Sequence, residues 1–324
     1  MLYSEAKKKA AAVLSGVGIE EADVDAEYLL QCASGLERNE LFIRWNEEIP
    51  ADIEKKFEER IERRSSHEPL QYIIGNQDFM GYMFIVTPDV LIPRFDTEIL
   101  AELAVKRAEK AFFELNERAL DGSLEANVFR ILDLCTGSGC VAVSTGLALE
   151  ERILGRTAFP IKNIDVTGAD ISPAAVALAR KNWEYNKEHR IHERNTDIRP
   201  EGNGVQINAG FTESDLFGSI NGQFHIITAN PPYIVRDEIK TLMPEITEHE
   251  PHLALDGGAD GMDFYRIIVR EAPEYLYPGG RLMMEFDDSQ AEPVAKMMDA
   301  AGFKEIEVHR DLAHLRRVIE GKFN

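Results

Sequence analysis

Short apolar runs alternate with helical patterns over residues 128–286, and this alternation limits the possible folds more than any other feature. Each run is bounded by Gly, Asp or Asn: VFRILDL (128–134), NIDVTGAD (163–170), VQINAG (205–210), FHIITAN (224–230) and GGRLMMEF (279–286). Helical patterns such as PAAVALARKNWEYN separate the runs. Strands that alternate with helices form a parallel sheet covered on both faces. We therefore predict an α/β fold, to which residues 303–323 add two strands as an antiparallel pair at an edge.

Residues 1–66 have a different, helical pattern. Ser4 is placed to cap a first helix that ends near Gly16, and a second helix has one apolar face. The third helix carries an apolar residue at every fourth position, at Ile53, Phe57 and Ile61. These features predict a small helical bundle whose outer faces carry Glu, Lys and Arg.

The segment between these two parts contains short β-type runs. YIIG, YMFIV and VLIP are separated by Gly75, Gly81 and Pro88, which predicts a β-hairpin that joins the bundle to the α/β part. A long amphipathic helix is then predicted to start at Thr97, as its N-cap, and to run to about Glu117.

The predicted domain division follows from these patterns. Residues 1–70 form the helical domain, 71–96 the hairpin linker and 97–324 the α/β domain. Two turn-rich insertions, 151–161 and 188–204, enlarge loops of the α/β domain.

The net charge of the chain is −21 at pH 7, and both the first 84 residues and the remainder are acidic. Proteins that bind nucleic acid through bulk charge present Lys and Arg, so that class is disfavoured. No stretch approaches the ~18 uninterrupted apolar residues of a membrane span. Cys32, Cys135 and Cys140 are too few for a disulfide framework and lack metal-ligand spacing, so no metal site is expected. We expect a soluble protein of the reducing cytoplasm.

An apolar strand runs directly into a glycine turn at 135–139. The turn reads Cys135, Thr136, Gly137, Ser138 and Gly139, and a helix follows it. Glycines let a ligand approach the backbone, and a helix start offers free N–H groups. The sequence lacks the third glycine of a dinucleotide-binding G-x-G-x-x-G loop, and it has no G-x-x-x-x-G-K-[ST] phosphate loop.

Carboxylates lie at the ends of three successive predicted strands. Asp133, just before the turn, would repel a pyrophosphate but can orient a cation such as the α-amino group of S-adenosylmethionine. Asp170 is placed to accept the two ribose hydroxyls of a nucleoside. Asp215 could accept from an adenine amino group, and Leu216 could pack against the ring. Each acid alone could merely cap the following helix, but the three acids and the glycine turn together favour a nucleoside site.

Asn230, Pro231, Pro232 and Tyr233 follow the apolar strand FHIITA directly, at the strand end where open α/β sheets bind ligands. The prolines carry no N–H, so the backbone offers acceptors without competing donors. The Asn230 oxygen and the flat face of Tyr233 would suit a planar NH₂ group. An ordinary turn is the alternative interpretation.

The glycine turn, the strand-end acids and Asn-Pro-Pro-Tyr resemble the amino-methyltransferases that use S-adenosylmethionine. This group includes adenine-N6 DNA enzymes and protein glutamine-N5 enzymes. The flanking motifs resemble those of the release factor glutamine methyltransferases, also called the PrmC or HemK family. These motifs are PLQYIIG (69–75), DF (78–79), VLIPRFDTE (90–98), EPHLAL (250–255), GGADG (257–261), YR (265–266) and PGG (278–280). The resemblance covers nearly the whole chain.

The resemblance implies a class I S-adenosylmethionine-dependent methyltransferase fold, Rossmann-like with a seven-stranded, mostly parallel sheet. It implies methylation of the side-chain nitrogen of the glutamine in the Gly-Gly-Gln loop of peptide chain release factors, which the N-terminal domain would dock. Asn230, Pro231, Pro232 and Tyr233 would be catalytic. The cofactor would be bound by Asp133, Cys135, Thr136, Gly137, Ser138, Gly139, Asp170, Asp215, Leu216 and Asn230. We further expect a monomer that binds no membrane and no nucleic acid stably.

Three positions depart from the family pattern. Cys135 stands where a glycine is usual, Phe95 replaces a common proline, and the segment after Glu285 lacks the usual glycine. Two alternatives stay open. One is an adenine-N6 nucleic-acid methyltransferase, which would have to flip its target base and present the same planar NH₂ group. The other is a non-catalytic binding module built on a decayed methyltransferase fold.

Overall fold

The structure is a computed structural model that describes residues 1–120, 128–153, 159–193 and 204–324. The chain forms two compact units, which we call the helical unit and the sheet unit. The helical unit comprises Met1–Asn76, Val86–Pro88 and Thr241–Glu250, and the sheet unit comprises Gln77–Ile85, Asp89–Lys240 and Pro251–Asn324.

Five helices precede the first strand in the described part of the chain, and the remaining helices lie between or after the strands that follow. The helices are α1 (Tyr3–Gly16), α2 (Ala22–Ser34), α3 (Arg38–Ile43), α4 (Ala51–Ser65), α5 (Leu70–Ile74), α6 (Glu98–Leu120), α7 (Cys140–Ile153), α8 (Pro173–Glu193), α9 (Arg236–Ile239), α10 (Pro244–Thr247), α11 (Asp263–Tyr275) and α12 (Ala291–Ala300). The strands are β1 (Asn76–Phe79), β2 (Tyr82–Ile85), β3 (Val128–Leu134), β4 (Asn163–Asp170), β5 (Gln206–Glu213), β6 (Phe224–Ala229), β7 (Leu276–Glu285), β8 (Lys304–Arg310) and β9 (Arg316–Lys322).

The helical unit is built around the apolar sides of α1, α2 and α4. Leu14, Leu29, Leu30 and Phe57 are at most 2% exposed and share one apolar cluster. Burying a side chain of this size stabilises the fold by about 1.5–3 kcal/mol. The predicted N-terminal helical bundle is therefore confirmed.

Some local predictions in the N-terminal part are wrong. Ser4 lies inside α1, and the helix is capped instead by Glu5, whose carboxylate accepts from the Leu2 N–H at 3.0 Å. The run YIIG forms the short helix α5, which ends where Gly75 adopts φ +84°, a left-handed conformation that glycine tolerates. The hairpin consists of β1 and β2, and residues 90–93 form no strand.

Strands β3–β9 form one sheet in the order β5-β4-β3-β6-β7-β9-β8. Neighbours among β3–β7 are parallel, β9 is antiparallel to β7, and β8 pairs antiparallel with β9 at the edge. Successive side chains of a strand point to opposite faces. Accordingly, Ile131 packs in one apolar cluster and Leu132 in another. The predicted seven-stranded, mostly parallel sheet and its antiparallel edge pair are confirmed.

The strand order reverses between β3 and β6. From β3 the chain proceeds outward through β4 and β5, and it returns on the other side to form β6. Open α/β sheets bind ligands at the carboxyl ends of the strands beside such a reversal. The glycine turn, Asp170 and Asn230 all lie at these strand ends.

The two predicted insertions are only partly described. Residues 154–158 and 194–203 lie outside the described residues. The start of the second insertion is helical, because α8 continues to Glu193. Within the described ranges, no helix combines the length and the apolar character needed to cross a membrane.

Candidate active site

The glycine turn owes its shape to positive φ angles. Gly137 has φ +53° and Gly139 has φ +82°, a region that side chains disfavour. A Cβ at Gly139 would lie 2.9 Å from the Cβ of Ala179, so this glycine permits close packing of α8. A Cβ at Gly137 would meet nothing within 4 Å. Gly137 therefore leaves open space beside the backbone at the strand ends, whereas Gly139 is needed for packing.

Asp133 is buried beside this turn and joins two strands. Its Oδ2 accepts from the Thr136 hydroxyl at 2.6 Å, and its Oδ1 accepts from the Thr228 hydroxyl at 2.7 Å. Burial raises the pKa of the Asp133 carboxyl to about 6, and the two threonine bonds act against that rise. The carboxyl therefore braces the turn against β6, and its expected role toward a cationic ligand stays a prediction. Thr136 directs its hydroxyl to Asp133.

Asp170 connects the end of β4 to the glycine turn. Its Oδ2 accepts from the Gly137 N–H at 2.8 Å, and its Oδ1 accepts from the Ser172 N–H at 2.9 Å. Burial raises the pKa of this carboxyl, and the backbone N–H donors partly offset the rise. Each carboxylate oxygen can accept a second hydrogen bond. Asp170 is thus held rigidly while it keeps capacity for a hydroxyl-bearing ligand.

The end of β5 lies beside Asp170. The Ser214 N–H donates to the Asp170 carbonyl at 2.8 Å. Leu216 is buried and has φ +45°, whereas Asp215 is exposed. The structure therefore brings the three strand ends together as predicted from the sequence.

Cys135 and Ser138 are the unusual residues of the turn. Cys135 has φ +54°, a left-handed conformation in which an L side chain is strained. Burial, with the charges of Asp170 and Asp133, raises the pKa of its thiol well above the usual value. Ser138 is 2% exposed, and its hydroxyl has no hydrogen-bond partner among the described residues.

Asn230, Pro231, Pro232 and Tyr233 extend from the end of β6. The Asn230 Nδ2 donates to the Thr97 hydroxyl at 3.1 Å. Because Nδ2 is held by Thr97, the Oδ1 of the Asn230 side chain points away from Thr97. Both prolines are buried, and Tyr233 is half-buried. Burial raises the pKa of the Tyr233 hydroxyl, so it stays protonated near neutrality.

The segment 257–261 packs closely against the backbone of Tyr233. A Cβ at Gly257 would lie 2.7 Å from the Tyr233 Cα, and one at Gly261 would lie 2.5 Å from the Tyr233 carbonyl oxygen. The buried Gln290 donates through Nε2 to the Tyr233 carbonyl at 2.9 Å and to the Gly261 carbonyl at 3.0 Å. The glycines therefore allow a close backbone contact that fixes the conformation after Pro232.

Comparison with known proteins identifies the family of this chain. A family model described as the PrmC N-terminal domain matches residues 5–75. The chain is 36% identical to the release factor glutamine methyltransferase of Geobacter sulfurreducens, over 95% of this chain and 92% of the relative. The chain belongs to the release factor glutamine methyltransferase family. It is also 33% identical to the enzyme of that name from Cereibacter sphaeroides, over 99% of each chain.

A solved structure of a release factor-specific protein-(glutamine-N5) methyltransferase from Alicyclobacillus acidocaldarius is 25% identical. It matches 74% of this chain and 99% of that chain with a TM-score of 0.36. The family assignment rests on the sequence relatives.

Two residues that lie beside Asn230 in the candidate site were missed by the sequence analysis. Thr97 was interpreted only as a helix cap, yet its hydroxyl accepts from Asn230. Glu285 was noted only as part of a divergent motif, yet it is 2% exposed and interacts with both Thr97 and Asn230. Its position in the sequence could have identified Glu285 as a candidate site residue, because Glu285 ends β7, the strand beside β6. An acid there lies at the same edge as Asn230.

One group of described residues has the spacing of metal ligands, namely Glu307, His309 and Glu320. Glu320 already accepts from the guanidinium groups of Arg107 and Arg281. Two positive charges at the same carboxylate oppose the binding of a cation. This group lies on β8 and β9, outside the strand ends that form the candidate active site.

Proposed function

We propose that this protein methylates the side-chain amide nitrogen of the glutamine in the Gly-Gly-Gln loop of peptide chain release factors, with S-adenosylmethionine as methyl donor. The observation that carries the proposal is the orientation of Asn230. Its Nδ2 is held by Thr97, so its Oδ1 is directed to accept an N–H from a substrate amide. Family membership identifies the class of substrate that bears this amide.

The residues of the glycine turn fit the cofactor. Gly137 leaves space beside the backbone, Asp170 retains acceptor capacity for ribose hydroxyls, and Leu216 and Asp215 would contact the adenine. The buried Ser138 hydroxyl is a further polar group at this turn. When bound, S-adenosylmethionine supplies an electrophilic methyl group on a sulfonium that needs no further activation.

The chain's own contribution is to hold the amide and to stabilise developing charge. Asn230 Oδ1 and the Pro231 carbonyl accept the two N–H hydrogens of the amide. As the nitrogen–methyl bond forms and the sulfur–methyl bond breaks, positive charge would grow on the nitrogen and both acceptor bonds would strengthen. One N–H proton would then be lost to solvent, which leaves a neutral N-methyl amide. Pro232 and Tyr233 shape the slot, which keeps the nitrogen aligned for direct displacement.

Each part of the chain has a separate role in the reaction. Residues 1–70 dock the release factor, 71–96 link the two parts, and 97–324 carry out the reaction. The protein acts as a monomer in the cytoplasm, where its substrates are, and it needs neither a membrane nor stably bound nucleic acid. The acidity of the chain suits a partner with basic patches.

Methyl transfer from labelled S-adenosylmethionine tests the proposal. The substrates are a purified release factor, the same factor with its loop glutamine changed to alanine, and duplex DNA. Label on the first substrate alone is the expected result. Label on DNA alone would instead establish the adenine-N6 alternative, and equal label on both release factors would place the methyl group elsewhere.

A further inference from the structure

The buried carboxyl of Glu285 has no role in the mechanism described so far. Glu285 is 2% exposed, and its Oε2 has no hydrogen-bond partner among the described residues. Buried acceptors of this kind are rare because each one loses its hydration without replacement. Such a group at the active-site edge of the sheet calls for a functional explanation.

The sheet register places this carboxyl beside Asn230. Strands β6 and β7 are parallel, and Ala229 pairs with Met284. Asn230 and Glu285 are the next residues on the two strands, so they lie side by side at the carboxyl edge. Thr97, from the turn before α6, is 2% exposed and accepts from the Asn230 Nδ2 at 3.1 Å. Hydrogen bonds from Thr97 and Asn230 reach the Glu285 carboxyl, of which Oε2 remains the unpaired oxygen, and both bonds favour its charged form.

We propose that Glu285 and Thr97 are positioning residues that fix the Asn230 amide with its oxygen toward the substrate nitrogen. This proposal rests on the proposed function, because it concerns how the same site recognises an NH₂ group. An ionised carboxylate only accepts hydrogen bonds. It therefore draws the Thr97 hydroxyl hydrogen toward itself, which leaves a lone pair of Thr97 facing Asn230. That lone pair selects the Nδ2 end of the amide, so the Oδ1 end faces the substrate.

The same arrangement favours transfer electronically. Hydrogen bonds in a chain polarise one another, so the negative charge of Glu285 strengthens the acceptor power of the Asn230 Oδ1. The benefit grows as positive charge develops on the substrate nitrogen, and it therefore acts on kcat more than on KM.

The ionised form of Glu285 is required for this effect. Burial raises the pKa of its carboxyl to about 7. The charge of Asp96 contributes to this raised pKa, whereas Arg317, which pairs with Asp96 at 3.2 Å, and the hydrogen bonds from Thr97 and Asn230 oppose it. Tyr233 also faces the carboxyl and stays neutral. Raising the pH through about 7 should therefore increase kcat in the unmodified protein.

Steady-state methylation of the release factor tests the proposal with Thr97→Val, Thr97→Ser and Glu285→Gln. Thr97→Val keeps the shape of the side chain but removes the hydroxyl, and misorientation of Asn230 should lower kcat by about 10²-fold with little change in KM. Thr97→Ser should restore most of the activity. Glu285→Gln should abolish the rise of kcat with pH near 7. Thr167→Val in β4 is the matched control and should leave kcat unchanged.

A second measurement does not depend on catalysis. In protein labelled with ¹⁵N at asparagine side chains, the Asn230 resonance is identified by its loss in Asn230→Ala. Its Nδ2 hydrogens should exchange more slowly with water in the unmodified protein than in Thr97→Val or Glu285→Gln.

Unchanged exchange in both variants, or a Thr97→Val kcat close to normal, would overturn the positioning role. If the unmodified protein transfers no methyl group to a release factor, the proposed function fails. The exchange rates still decide whether Thr97 and Glu285 hold Asn230.

Discussion

Gly137 and Gly139 lie two residues apart in the glycine turn, but their surroundings differ. Both have positive φ, so alanine at either position is strained by about 1–2 kcal/mol. At Gly139 the new Cβ would also lie 2.9 Å from the Ala179 Cβ and 3.1 Å from its Cα, which is backbone. Such overpacking typically costs a further 1–3 kcal/mol or so. Gly139→Ala should therefore destabilise the sheet unit by about 2–5 kcal/mol.

Gly137→Ala is the matched control, since nothing lies within 4 Å of its Cβ. It should cost only the strain of about 1–2 kcal/mol. The entropy that alanine removes from the unfolded chain is the same in both variants, so it cancels from the comparison.

Urea unfolding without cofactor measures the difference. The chain has two tryptophans, and Trp183 lies in α8 of the sheet unit. In a Trp45→Phe background, fluorescence reports the environment of Trp183 and so follows the sheet unit. Gly139→Ala should shift the midpoint clearly further than Gly137→Ala. Equal shifts would refute the argument that Gly139 is required for packing against Ala179.

Three further predictions concern the acids and the cysteine of the glycine turn. Asp170→Ala should weaken binding of S-adenosylhomocysteine, because the variant loses both the ribose acceptor and the bond to Gly137; unchanged affinity in a calorimetric titration would contradict this role. Cys135 should react with iodoacetamide at pH 8 far more slowly than an exposed thiol, because burial and neighbouring carboxylates raise its pKa; rapid labelling of the Cys135 peptide, followed by mass spectrometry of digests, would be inconsistent with that. Folding raises the pKa of Asp133 from about 3.8 to about 6, so its stability contribution is present at low pH and is lost as pH rises through 6. The free energy of unfolding of the unmodified protein should therefore fall by roughly 3 kcal/mol more between pH 4 and 7 than that of Asp133→Asn. Unfolding midpoints with the same pH dependence in both proteins would disprove this prediction.

The strands were predictable because each is a short apolar run with clear boundaries. VFRILDL and NIDVTGAD coincide with β3 and β4. YIIG was misassigned because a short apolar run fits a strand or a helix equally well. Pro69 before the run and Gly75 after it are the features that accompany the helix.

Residues of the candidate site were predictable where a polar side chain lies at the end of a predicted strand, as at Asp170 and Asn230. The supporting residues were not. Gln290 reaches Tyr233 across 57 positions of sequence, and Thr97 reaches Asn230 across 133. Such contacts depend on the register of the sheet and on the close approach that Gly257 and Gly261 permit, and no local pattern encodes them.

The position of the methyl group on the release factor decides whether the proposed reaction takes place. The factor is incubated with S-adenosylmethionine and either the unmodified protein or Asn230→Ala, and its peptides are sequenced by tandem mass spectrometry. We expect one added methyl group on the side-chain nitrogen of the Gly-Gly-Gln glutamine, and most of this product should be lost with Asn230→Ala. A methyl group on any other residue would show that the loop glutamine is not the substrate, and the same yield with Asn230→Ala would show that Asn230 is not catalytic.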